Sequence, residues 1–273
     1  MKPITVISSM GNQQIKNISL LLKKSKAREE QGLFVIEGLR IFEEARLAGS
    51  LAKTYLSESF YHEKLRSDPG FFYDLDYEIV SDKIFHEVSE TMTPQGVLGL
   101  VRGAQYALEE LITKEKPCLL LLEDIRDPGN LGTMIRTAEG AGITGVILNS
   151  TCVDLYNPKV IRSTMGSIFR VPFYRAEDFS GTVKKLKEYG IQVLAAHLAG
   201  ESYDTEGSFL NSCAILIGNE ANGLSEEASS LADSLIRIPM EGRVESLNAA
   251  VAAAILMYEA LRQRKKNWHD EVR

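Results

Sequence analysis

The sequence predicts an α/β protein whose second part is a mostly parallel sheet with helices on both faces. Three observations lead there. From residue 118 onward, short continuously apolar runs alternate with helical patterns, as strands buried on both faces require. Several of those runs end in polar, glycine-rich segments, where such sheets bind ligands. The composition, 44% hydrophobic and 25% charged, is that of a globular chain and sets aside disordered, collagen-like and coiled-coil architectures. A length of 273 residues suits one large or two modest domains.

The first part reads as α then β/α. Residues 13–26 carry Ile15, Ile18, Leu21 and Leu22 at helical spacing with lysines between them. Residues 33–36 form a short strand, 37–48 an amphipathic helix and 52–56 another strand. A short helix over 81–89 has Ser81 as a candidate cap, and the Gln95-Gly96 break leads into a strand at 97–101. A turn-like stretch, Arg102 to Gln105, marks a domain boundary near residue 104. The expected division is thus 1–104 and 105–273.

In the second part a Leu/Glu helix over 107–113 precedes a polar Lys-Glu-Lys-Pro break. Strands are expected at 118–122, 145–148, 171–174, 192–196, 214–217 and 235–238. Helices are expected at 130–140, 158–165, 182–189, 225–231 and 247–263.

Composition excludes several function classes. The longest apolar run, residues 249–258, is far short of the ~20 residues that span a bilayer. The N-terminus lacks the apolar core of a secretory signal, so a cytoplasmic location is expected. Cys118, Cys152 and Cys213 are widely spaced among apolar neighbours, which predicts buried free thiols rather than a disulfide framework or a metal site. The net charge of −6 disfavours a protein that coats nucleic acid. Its distribution is uneven. Residues 1–28 hold Lys2, Lys16, Lys23, Lys24, Lys26 and Arg28 with no acid, and the tail holds Arg262, Arg264, Lys265 and Lys266. Such basic ends either bind phosphates locally or are solvated helix faces.

One glycine pattern misleads. Gly140-Ala-Gly142-Ile-Thr-Gly145 matches a dinucleotide fingerprint, but that motif needs a strand before it and a helix after it. Here the order is reversed, so these glycines are read as a helix end and an αβ turn.

Three segments can hold chemistry, and each also has a plainer reading. The first, Glu123 to Arg136, opens a helix near Asn130, a candidate N-cap, and places Arg136 within it; alone it is a capped helix with a solvated arginine. The second, Ile217 to Ser225, carries Gly218, Glu220 and Gly223; alone it is an ordinary βα loop. The third, Ile238 to Ala250, carries Ser246, Leu247 and Asn248 ahead of an alanine-rich helix that suits any close packing. His197, just after a strand, is the one histidine near the expected ligand edge, and a satisfied half-buried role is the simpler one for it.

Taken together and in this order, the segments resemble the three motifs of the SpoU (TrmH) branch of the SPOUT RNA methyltransferases. The matching stretches are Asn130-Leu-Gly-Thr-Met-Ile-Arg136, Gly218-Asn-Glu220-Ala-Asn-Gly-Leu-Ser225 and Ser246-Leu247-Asn248. The resemblance covers residues 118–263. The segment Phe34-Val-Ile-Glu37-Gly38 and the helix after it are similar to the substrate-binding domain often fused to this family, which has a ribosomal-protein-like α/β fold.

The resemblance implies a deep trefoil knot, bound S-adenosylmethionine, a homodimer whose site draws on both subunits, and methyl transfer to a ribose 2′-hydroxyl of RNA, with no metal and no membrane. Carried over residue by residue, Arg136 is the catalytic arginine and Asn130 the residue that positions it. Glu220 is the motif-two glutamate, and Ser246 and Asn248 are the polar pair of motif three. Backbone around Gly218, Ile238 and Leu247 holds the cofactor. Where the family more often has Val-Ser after the asparagine, this chain has Ala249-Ala250, so no hydroxyl stands at 250. Large-subunit ribosomal RNA is the favoured substrate, a resistance-conferring methylase being a narrower variant. Transfer RNA, a non-catalytic RNA-binding or ribosome-assembly module, and a nucleotide-dependent oxidoreductase are the alternatives. The first part is expected to choose the RNA, so that deleting residues 1–104 removes RNA binding and spares cofactor binding.

Overall fold

The computed structural model describes residues 5–205 and 207–271, with side chains described as far as Lys265. Lys2 and the Lys266 side chain therefore lie outside the described residues. The described chain forms two compact units: one from residues up to 104 together with 156–169, the other from 105–155 and 170 onward.

The first unit begins with β1 (Val6–Ile7), α1 (Gln13–Lys23), α2 (Ser25–Gln31), β2 (Leu33–Glu37), α3 (Leu39–Leu47) and β3 (Leu51–Ser57). It continues with α4 (Glu58–Ser67), β4 (Tyr77–Val80), α5 (Asp82–Val88) and β5 (Val97–Arg102). The strands form one mixed sheet in the order β1-β4-β3-β5-β2. The single helix expected over 13–26 is two, because Lys24 adopts an extended conformation between them. Asn12 caps the first helix by accepting from the Gln14 N–H at 2.8 Å. Ile15, Ile18 and Leu21 are buried against the sheet, as their spacing requires. Ser81 does stand before α5, but its side chain makes no capping hydrogen bond.

Beyond residue 104 come α6 (Leu108–Ile112), β6 (Cys118–Leu122), α7 (Pro128–Gly140), β7 (Gly145–Asn149) and α8 (Pro158–Thr164). Then follow β8 (Phe173–Ala176), α9 (Phe179–Glu188), β9 (Gln192–Ser202), β10 (Cys213–Ile217), α10 (Glu226–Leu231), β11 (Ser234–Arg237) and α11 (Ala249–Glu271). The helix α8 packs within the first unit, where Tyr156 stacks on Phe34 with ring centroids 4.4 Å apart and Arg162 pairs with Glu90 at 2.9 Å. Its place in the chain, between two strands of the second sheet, gives no hint of this.

The second sheet is six-stranded, in the order β11-β9-β10-β6-β7-β8, and every pairing is parallel. Its central strands β6 and β10 are buried at every position, which is why they read as unbroken apolar runs. The glycines of the misleading pattern end α7 and start β7, with Gly142 at φ +70° as a helix-ending residue. All three cysteines are buried and free. The Cys118 and Cys213 sulfurs lie 3.7 Å apart on paired strands, and burial pushes the Cys152 thiol up to about 11.

Gly145 tests this packing. A Cβ there would meet the fully buried Leu111 side chain at 2.5 Å. Gly145→Ala should cost about 1–3 kcal/mol, the usual range for overpacking, read as a lower urea midpoint with an unchanged slope.

Candidate active site

The three glycine-rich segments all belong to the second unit, and one hydrogen-bond chain joins them. Asn130 Nδ2 donates to Glu220 Oε1 at 2.9 Å, and Asn248 Nδ2 donates to Asn130 Oδ1 at 3.0 Å. Asn248 Oδ1 in turn accepts from the Ala250 N–H at 2.9 Å, so Asn248 is the side-chain cap of α11. Residues 90 and 118 positions apart in the sequence thereby hold one another's orientation.

Asn130 is free for this because it does not cap α7. Asp127 does, accepting from the Asn130 N–H at 2.8 Å, and Pro128 fills the first helical position, where its missing donor costs nothing. The helix thus starts two residues earlier than expected.

The second segment folds back on itself after β10. Asn219 and Gly223 exchange two backbone hydrogen bonds, at 2.9 and 3.0 Å. Gly223 stands at φ +70°, and a Cβ on Gly218 would lie 2.4 Å from backbone atoms of Gly223 and Leu224. Asn219 secures the turn: its Oδ1 accepts from the Ala221 and Asn222 N–H groups, and its Nδ2 donates to the Asp124 carbonyl at 2.8 Å. Ser225 caps α10, and its N–H and hydroxyl both donate to the Glu123 carboxylate, at 2.8 and 2.7 Å. Asn219 and Glu123 were not singled out from the sequence. The signal available for both was their position within two residues of the end of a buried strand.

Beside this turn lies a cleft of about 390 Å3. Gly218, Glu220, Ile238, Ser246 and Leu247 all line it. So does His197, whose Nδ1 accepts from the Ala199 N–H at 3.1 Å, the satisfied role expected of it. The strand β9 runs six residues further than predicted, to Ser202, and its pairing with β11 shifts register between Leu235 and Ile236. The bulge carries His197 and Leu198 to the cleft. Apolar side chains such as Ile217, Leu224 and Met240 form its walls, backbone polar groups stand at the strand ends, and Glu220 and Glu245 give it acidic side chains. That donor set suits a ligand with a flat apolar ring and a positive charge.

Arg136 is elsewhere. It is exposed on α7, does not line the cleft, and has no hydrogen-bond or ion-pair partner among the described residues. Six residues along a helix turn it about 120° away from Asn130, so the expected positioning of Arg136 by Asn130 is not seen: the Asn130 amide is engaged by Glu220 and Asn248. Ser246 is exposed and unpartnered among the described residues. Among those residues no group of three or more His, Cys, Asp or Glu could hold a metal ion, and no helix is long and apolar enough to cross a membrane.

Comparison with known proteins agrees with this arrangement. Residues 12–99 match the model of the MRM3-like substrate binding domain. The 23S rRNA (guanosine(2553)-2′-O)-methyltransferase RlmP of Bacillus subtilis is 34% identical over 92% of this chain and 97% of its own. The human mitochondrial rRNA methyltransferase 3 is 28% identical over 95% of this chain and 74% of its own. The crystal structure of an AdoMet-bound rRNA methyltransferase from Sinorhizobium meliloti superposes with a TM-score of 0.82, at 32% identity, over 95% of this chain and 98% of that one. Residues 117–258, which contain the whole hydrogen-bond chain and the cleft, match the SpoU rRNA methylase model, and the protein belongs to that family.

Proposed function

We propose that this protein methylates a ribose 2′-hydroxyl of large-subunit ribosomal RNA, using S-adenosylmethionine held in the cleft beside Gly218. The observation that carries the reading is the Glu220–Asn130–Asn248 chain, which ties the three family motifs to the wall of one cleft. The related enzymes named above, one named for 23S rRNA, one as a mitochondrial rRNA methyltransferase and one solved with AdoMet, support the substrate and the cofactor. When bound, S-adenosylmethionine supplies an electrophilic methyl group on a sulfonium.

This chain's residues then have to position and polarise. Backbone around Gly218, Ile238 and Leu247 grips the cofactor, and Asn130 fixes the direction of the Glu220 carboxylate. The Arg136 guanidinium acts by charge: it orients an RNA phosphate and stabilises the negative charge that the 2′-oxygen gains as its proton passes to water. Because Arg136 lies outside its own cleft, the reading includes a homodimer in which the arginine of one protomer serves the cleft of the other. Val251 and Tyr258, exposed seven residues apart on α11, are available to such an interface. A trefoil knot is part of the same reading, supported by β11 at the sheet edge beyond β9 and by α11 returning against α7. A cytoplasmic location is part of the same reading, supported by the likeness to the Bacillus subtilis enzyme.

The basic N-terminal segment supplies RNA contacts, in part. Arg28 does not, for it is buried and its guanidinium donates to the Leu21 and Leu22 carbonyls. In the tail, Arg264 is likewise spent on the Phe209, Lys116 and Asn211 carbonyls, and Arg262 on Glu259. Lys16, Lys23 and Lys24 are exposed without ion-pair partners among the described residues. Reversing these three to Glu should weaken RNA binding and flatten its salt dependence by about 2 to 3 in log–log slope, with cofactor affinity unchanged by calorimetry. This replaces deletion of 1–104 as the test, since deletion would strip residues 156–169 of the unit they pack in.

The reading as a whole is tested by mapping ribose methylation in ribosomal and transfer RNA from wild-type and gene-deleted cells. Loss of one 2′-O-methyl in ribosomal RNA, restored by the gene, is expected. A site lost from transfer RNA instead would move the substrate, and an unchanged map with no cofactor binding would favour a non-catalytic RNA-binding role.

A further inference from the structure

The first unit holds a second cavity of about 390 Å3 that the methyl-transfer reading does not use. Its walls are aliphatic: Leu22 from α1, Ile41 from α3, and Ile161 and Met165 from the segment at α8. Three residues of the Phe34–Gly38 motif, Val35, Glu37 and Gly38, reach it. The Glu37 carboxylate is held in place, accepting from the Glu90 N–H at 3.0 Å and from the Thr91 hydroxyl. Gln95 is held through its oxygen, which accepts from the Leu39 N–H at 2.7 Å, so its Nε2 amide remains an unpartnered donor among the described residues. The cavity lining thus offers a fixed acceptor and a fixed donor beside aliphatic surface.

The lining carries two acids, Glu37 and Glu90, and two arginines, and the placement of the charges narrows the kind of occupant. Of the two arginines on the lining, Arg162 is neutralised by Glu90, whereas Arg40 is exposed and has no partner among the described residues. Leu22 is followed directly by the exposed Lys23 and Lys24. An unpartnered arginine on the lining of a pocket with apolar walls and an edge of hydrogen-bonding groups fits a phosphate-bearing ring. Duplex RNA presents no such ring, because its deep major groove hides the base edges, and sequence is read instead from unpaired bases turned out of the stack.

We propose that this cavity takes one unpaired nucleotide of the substrate RNA, with its base against the aliphatic walls, its edge read by Glu37 and Gln95, and its phosphate on Arg40. The proposal rests on the RNA reading above and deepens it, by giving the first unit a specific contact that selects the target. Met165 suits this wall because its thioether adapts to a flat ring where a branched side chain does not.

The test uses the full-length protein and an in vitro transcript of large-subunit ribosomal RNA, probed with base-specific reagents. Two variants are compared: Leu22→Trp, which fills the cavity, and Arg40→Ala, which removes an exposed side chain with no fold contact. An unpaired base distinct from the methylated nucleotide should lose reactivity when wild-type protein binds. Both variants should restore that reactivity and weaken transcript binding about tenfold, with S-adenosylmethionine affinity unchanged within about twofold. Retention of the same footprint and affinity by Arg40→Ala and by a folded Leu22→Trp would overturn the proposal while leaving the RNA reading intact. Equally tight binding of a free nucleoside monophosphate, displacing the footprint, would overturn it in favour of a small nucleotide ligand. Failure of the wild-type protein to bind the transcript, with normal cofactor binding, would remove the RNA reading itself and this proposal with it.

Discussion

Arg136→Ala is expected to lower methyl transfer by about 10²–10³-fold while leaving S-adenosylmethionine affinity within about twofold. The split follows from where the side chain stands. Arg136 is exposed, touches no partner among the described residues and does not line the cleft, so its removal disturbs neither packing nor the cofactor's surroundings. What is lost is a fixed positive charge beside a ribose 2′-oxygen that gains negative charge as its proton passes to water. Arg136→Lys should recover only part of the rate, because an ammonium keeps the charge but not the planar fork that holds a phosphate by two bonds. Near-wild-type turnover by the alanine variant would refute the assigned role.

The same variant tests whether the site is shared. If the arginine served its own cleft, Arg136→Ala and Gly218→Ala would be inactive separately and inactive when mixed. If it serves the partner's cleft, a mixed dimer pairs one intact cleft with one intact arginine. Random mixing should then restore about a quarter of wild-type activity, since half the dimers are mixed and each has one working site. The gain should vanish when the two variants are prevented from exchanging subunits.

How far the sequence carried this site depended on what each residue was asked to do. β6 was legible end to end, because a strand buried on both faces has no polar position to blur its limits. β4 was not: Tyr77–Val80 lies among acidic residues and is half-exposed at two of four positions, so its identity rests on its pairing between β1 and β3. The extension of β9 was missed for a related reason. After Ala196 the apolar run breaks and includes Gly200, where an added Cβ would fall 2.5 Å from the Leu235 carbonyl carbon. Pairing with β11 overrides a local pattern that reads as loop. Within the site, motif order brought Asn130, Glu220 and Asn248 into view, yet it attached Asn130 to Arg136. Spacing along one helix places those two on different faces, and only the fold shows that the asparagine bridges to two segments remote in sequence. Charge counting failed more simply. Arg28 and Arg264 count as surface cations in a sequence, but each is consumed by backbone carbonyls.

Gly218→Ala is expected to abolish measurable S-adenosylmethionine binding, by about 10²-fold or more in Kd, and to cost about 1–3 kcal/mol of stability. The new methyl group would fall 2.4 Å from the Gly223 carbonyl carbon and the Leu224 nitrogen. Those are backbone atoms, so no rotamer change relieves the clash, and the turn must open. Opening breaks the paired Asn219–Gly223 hydrogen bonds and shifts Glu220, whose link through Asn130 to Asn248 is the frame of the cleft. The effect therefore spreads from one carbon atom to all three motifs. Gly242→Ala is the matched control: it lies in the loop that leads to Ser246, has nothing within 4 Å of its added carbon, and should leave affinity and stability unchanged. Calorimetric titration of both variants, with thermal melting alongside, separates lost binding from lost folding. Normal cofactor affinity in folded Gly218→Ala would place the cofactor somewhere other than this cleft. Loss of affinity in Gly218→Ala alone would tie the cofactor to the backbone turn, whose geometry is set by a close approach that only glycine permits.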